Sequence, residues 1–164
     1  MLRNLIMAAG LLGLAWSCSP AAQTGADAGP AQAQAGEAQA AEGGPAGGEA
    51  IITAWARQHE GLIEPVDMFF GDFTGDGAAD AIAFAYVATG GSSANLVIGL
   101  FRNEGGRLAF WRTDETVYGM EPRDVAFAPG RITLTTTMPR PGDPHCCPTG
   151  SQTWTIDAAR ATPY

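Results

Sequence analysis

Residues 49–164 of this chain contain no lysine, and their eight arginines stand against fourteen aspartates and glutamates for a formal charge of −6. A surface for DNA or RNA needs basic side chains to neutralise phosphates, so nucleic acid is excluded as a partner class. The 164 residues hold only two histidines and three cysteines. That scarcity confines nucleophile–base pairs and soft-metal sites to a few positions, and no GxSxG, HExxH or phosphate-cradling loop occurs. The one long apolar run, within residues 1–17, is too short for a comfortable bilayer span of about 20 residues.

What is present is unevenly distributed. Residues 1–17, MLRNLIMAAGLLGLAWS, combine Arg3, an apolar stretch and small residues near its end, which predicts a signal peptide. LAWSC places Ala15 and Ser17 at the third and first positions before Cys18 and resembles the bacterial lipobox, which implies lipidation of Cys18. Two or more acyl chains anchor a protein stably on a membrane; the other reading is ordinary secretion. Ser19 in place of Asp after the cysteine implies, by the same resemblance, an outer-membrane destination in a Gram-negative cell.

Residues 18–48 begin with that anchor cysteine and continue in Ala, Gly, Gln and Pro without a large apolar side chain. Such a segment buries too little surface to offset its ordering entropy and reads as a disordered linker. Its thirty residues after Cys18 would span about 30 Å as a coil, enough to lift a domain off a headgroup layer.

The globular part is residues 49–164. EAIITAWARQHE, residues 49–60, sets Ile51, Ile52, Trp55 and His59 on one broad helical face before Gly61, which predicts one short helix with His59 in its last turn, facing the negative end of the dipole. Segments 81–87, 95–102, 107–113, 123–128, 131–137 and 152–157 are rich in β-branched and aromatic residues and read as strands. Asn103-Glu104-Gly105-Gly106 and Pro129-Gly130 predict tight hairpins, hence antiparallel neighbours. The fold expected is α+β, mainly β: one short N-terminal helix packed on an antiparallel sheet of about six strands. In AIAFAYV, Ile82, Phe84 and Tyr86 point one way and Ala81, Ala83 and Ala85 the other, so this strand is central, its alanine face closely covered. RITLTTT alternates Ile132 and Leu134 with Thr133, Thr135 and Thr137, a strand wet on one side.

DFTGDGAAD precedes the first of these strands. Asp72, Thr74, Asp76 and Asp80 occupy its positions 1, 3, 5 and 9, the Ala78 carbonyl stands at position 7, and Gly77 allows the sharp turn. Oxygen ligands at that spacing suit calcium. The same residues also suit an Asx-type turn, in which the aspartates cap backbone N–H groups. The loop resembles the calcium loops of FG-GAP and VCBS repeats, though it occurs once, and Thr74 stands where that pattern has Asn or Asp. Ala83 at position 12 excludes an EF-hand.

MPRPGDPHCCPTG, residues 138–150, is a loop between two strands and holds Cys146 and Cys147. In an exported protein whose Cys18 is lipidated, these two thiols pair with each other or with another chain, or stay free. A vicinal disulfide Cys146–Cys147 is the favoured reading. Metal capture by His145, Cys146 and Cys147, with Asp143, is the alternative.

Lipobox, linker and the DPHCCPTG loop before Trp154 together resemble small bacterial envelope lipoproteins of the LppP/LprE type. That resemblance implies a location more than an activity. The function expected is a non-catalytic, membrane-tethered binding or structural module facing the periplasm, calcium as its possible cofactor and an envelope protein or glycan as its partner. The alternatives are a redox or hydrolytic envelope enzyme using Cys146/Cys147 or Asp72/Asp76/Asp80, and a periplasmic enzyme inhibitor.

Overall fold

The computed structural model describes residues 38–39, 43–91, 94–144 and 146–159. The expected signal peptide, residues 1–17, and Cys18 and His145 lie outside them. The elements in chain order are β1 (Ala38–Gln39), α1 (Gly48–Ala56), β2 (Leu62–Gly71), β3 (Asp80–Ala88), β4 (Ala94–Glu104), β5 (Arg107–Asp114), β6 (Met120–Ala128), β7 (Arg131–Met138) and β8 (Gly150–Asp157). The expected class holds: one short helix packs on antiparallel β structure. The strands divide into two sheets, ordered β2-β3-β4-β5 and β1-β6-β7-β8, where a single sheet was expected.

Alternation explains the pairing of the two sheets. Ile82 and Phe84 of β3 and Ile98 and Leu100 of β4 form one buried cluster with Phe127, Ile132, Leu134 and Ile156 from the second sheet. This is a face-to-face sandwich. Each such side chain, fully buried, contributes about 1.5–3 kcal/mol of transfer free energy.

The other face of the first sheet is built from small residues so that a helix can sit on it. Ala81, Ala83 and Ala85 are buried there with Ile52, Trp55 and Ala56 of α1. At Gly99 a Cβ atom would fall 2.7 Å from the Trp55 ring, so only glycine permits that approach. The helix stops at Ala56, short of the expected residue 60, because the amides of Gln58 and His59 bond to the carbonyls of Trp55 and Ala56 in three-residue turns. His59 therefore lies beyond the last helical turn. Its ring packs edge-on against Trp55, with centroids 5.2 Å apart, in place of the expected dipole role.

Two elements depart from the sequence expectation. Strand β2 contains Glu64, Pro65 and Asp67, which break the apolar alternation. It is an edge strand whose pairing with β3 shifts between Ile63 and Asp67, the setting in which a sheet tolerates proline. Strand β1 falls within the expected linker and pairs with Phe127 and Ala126 of β6, so the ordered fold reaches back before residue 49.

Candidate functional site

The Asp loop occupies one end of the sandwich. The fully buried Asp80 carboxylate accepts hydrogen bonds from the amides of Phe73 (3.0 Å), Thr74 (2.9 Å) and Asn103 (2.8 Å). It thereby ties the loop to the β4–β5 hairpin, where Asn103 also caps Gly106. Asp72 accepts from the amides of Gly75, Asp76 and Gly77 and from the Thr74 hydroxyl. Asp76 accepts from the amide of Ala78. Burial raises the Asp72 pKa, but these amides, Gly77 and Gly75 foremost, and the Thr74 hydroxyl outweigh it and hold the carboxyl below its usual range.

This is the Asx-type arrangement of the two readings. Its carboxylates accept N–H groups of the turn, which orders the loop and still leaves lone pairs on Asp72 and Asp76. Among the described residues no group of three His, Cys, Asp or Glu side chains is disposed to hold a metal ion. Asp72, Thr74, Asp76, Ala78 and Asp80 all lie along this one turn, Asp80 fully buried and Thr74 and Asp76 exposed.

The cysteine loop lies at the opposite end. Arg131, at the start of β7, follows Gly130, whose amide bonds to the Phe73 carbonyl beside the Asp loop, whereas Met138, at its end, pairs with Gly150. Eight residues of strand separate the two loops by about 23 Å. A composite site joining Asp72, Asp76 or Asp80 to the thiols is thereby excluded. Asp143 closes the cysteine loop by accepting from the amides of Arg140 and Thr149, and those bonds keep its pKa below the usual range. Cys146 and Cys147 are free, exposed thiols with sulfurs 2.6 Å apart. Contact with the Cys146 sulfur, then burial, push the Cys147 thiol up.

Between these loops, toward the cysteine end, the two sheets part to form a groove of about 640 Å³. Tyr86 of β3, Leu96 of β4, the connection carrying Glu115, Val117 and Tyr118, and Met120 at the start of β6 line it. Tyr118 and Met120 are 61% and 53% exposed, two of the four exposed large hydrophobic side chains among the described residues. Thr136 fixes this rim by donating to the Tyr118 carbonyl and accepting from the Trp154 indole. At Gly119 (φ 104°) a Cβ would collide with Thr136 and Thr137, and Glu121 also holds a positive φ of 52°. The rim is thus set by backbone conformations that few side chains accept.

Tyr86 lines the groove with the polar Asn95 and Glu115. Its hydroxyl oxygen is buried, and the backbone N–H of Glu121 lies against it short of full hydrogen-bond geometry. Burial and then the charge of Asp67 push its pKa up to about 12, so it remains a protonated phenol and is no base at neutral pH. Asp67 is itself raised by desolvation.

Tyr86 read in sequence as an ordinary strand residue beside Ile82 and Phe84, with no signal of its place in a groove. Trp111 is half-buried: it stacks on Phe73 (5.9 Å between centroids) and carries the Arg102 guanidinium 3.7 Å from its ring centre. Arg112 bonds to Asp114 (3.0 Å) and to the Asp157 carbonyl, clasping the two sheets. No helix of the described residues is long and apolar enough to cross a membrane. Comparison with family models, curated proteins and solved structures returns no match for this chain.

Proposed function

We propose that this chain is a non-catalytic, membrane-tethered binding module of a bacterial envelope, anchored through Cys18, which displays its β domain to the periplasm. The observation that carries the reading is the groove at Tyr86 and Tyr118. It has the volume and the mixed apolar and aromatic lining of a ligand site, and none of its lining residues is a thiol, a histidine or a lysine. The Asp loop in this reading is a structural staple.

Cys146 and Cys147 close to a vicinal disulfide by exchange with an oxidised dithiol donor. The two thiols lose two protons and two electrons, and the donor disulfide is reduced to its dithiol. The exposed position of both sulfurs and the oxidising compartment support this.

Fractionation of cells tests the anchor: the native chain is expected with membranes and Cys18→Ser in the soluble fraction. A soluble native chain overturns it. For binding, a photo-reactive residue at position 118 is expected to give specific envelope adducts, while one at Thr153, on the exposed face of β8, gives none. Equal labelling at both positions removes the groove as the binding site.

A further inference from the structure

We infer that the groove takes a small organic ammonium cation, seated on the rings of Tyr86 and Tyr118 with its charge toward Glu115. The inference rests on the binding reading above and narrows it to a ligand class.

Charge complementarity is the first argument. Glu115 is the charged residue of the lining, which contains no arginine, lysine or histidine. Asp67 adds a second negative charge close enough to act on the Tyr86 phenol. The Glu121 carboxylate, on the same rim, is engaged by the Thr137 hydroxyl, and the nearby Arg123 is spent on that hydroxyl and on the Glu121 carbonyl. An anionic ligand would meet repulsion here, and a cation would meet none from the lining.

The surface that accompanies the charge is the second argument. Tyr86, Tyr118 and Met120 offer two aromatic rings and a polarisable thioether, beside Leu96 and Val117. Ring faces attract a cation by about 0.5–2 kcal/mol each, more as water is excluded, and the apolar walls suit the hydrocarbon groups on its nitrogen. A small organic ammonium with hydrocarbon groups on its nitrogen meets both conditions.

Choline chloride is the probe, with its neutral isostere 3,3-dimethylbutan-1-ol and methyl glucoside as comparators, titrated calorimetrically into the full exported chain carrying Cys18→Ser. Saturable choline binding is expected, at least about tenfold tighter than the isostere, a difference equivalent to about 1.4 kcal/mol for the charge. Glu115→Gln and Tyr118→Ala, both at exposed positions, are expected to weaken it about tenfold with little change in melting temperature. Equal affinity for the isostere, or choline binding unchanged in both variants, overturns the inference. Methyl glucoside binding without choline binding overturns the cation class and leaves the binding module standing. Silence from all three probes also overturns it, while cross-linking from position 118 decides the module separately.

Discussion

Asp80 and Asp67 are carboxylates of opposite consequence on the two strands that open the first sheet. Asp80 is fully buried and stabilising because three amides surround it. Asp67 has no such cradle, and desolvation raises its pKa. The signs follow by linkage. A carboxyl with a raised folded pKa contributes stability that is complete below its unfolded value, about 4, and lost as pH rises through the folded value. At neutral pH the Asp67 charge is therefore a cost, and Asp67→Asn is expected to raise the melting temperature at pH 7 and to leave it unchanged at pH 3. Paired thermal melts check this, and a lower melting temperature at pH 7 would show a hidden partner for Asp67. Asp72 has the reverse sign. Its lowered pKa contributes stability that is present above about pH 4 and lost as pH falls through the folded value. A charge kept at a cost beside the groove accords with a role there in place of one in folding.

At the scale of elements, α1 depends on the sheet beneath it. Nine residues form a marginal helix in isolation, and no side chain caps its start. Its stability comes from Ile52 and Trp55 on the alanine and glycine surface. Gly99→Val is expected to cost about 1–3 kcal/mol in urea unfolding and to shift Trp55 fluorescence to the red as the indole leaves its slot. Unchanged stability would mean that the ring moves aside freely. This packing explains what was legible in the sequence. Period-two alternation in β3 and β7 marked their buried faces, because strands buried on one or both sides leave that trace. The Gly105-Gly106 and Pro129-Gly130 turns were equally readable, since each joins its two strands by two residues. Strand β2 was not readable, because Pro65 and its acidic neighbours read as a loop and are tolerated only at a sheet edge. The groove was illegible for a different reason. Tyr86, Leu96 and Tyr118 come from separate segments, and only the pairing of β3 with β4 and the turn of residues 115–120 bring them together. The Asp loop showed its residues in sequence but left two readings open, and the structure adds the amides that Asp72, Asp76 and Asp80 accept, an arrangement common to both.

For the molecule as a whole, the sandwich keeps its two loop ends apart. The Asp loop and the cysteine loop lie about 23 Å from each other along β7. Nothing in the core links them except packed strands, and perturbations farther apart than about 7–10 Å without shared partners add. Asp80→Ala orphans three amides and is expected to cost about 3 kcal/mol or more. The pair Cys146→Ser with Cys147→Ser changes an exposed loop already closed by Asp143, and is expected to cost less than about 0.5 kcal/mol. Combined, the free energies are expected to sum within about 0.5 kcal/mol. The groove lies away from the Asp loop, so Asp80→Ala is expected to lower stability while choline affinity at the groove stays within about twofold, measured where the variant remains folded. Coupling of more than about 1 kcal/mol between the ends, or loss of groove binding in Asp80→Ala, would show that the two sheets shift against each other as one switch. Additivity would instead establish the domain as a rigid scaffold, with the cost of holding its aspartates and its thiols confined to separate ends and the open groove free to take a ligand.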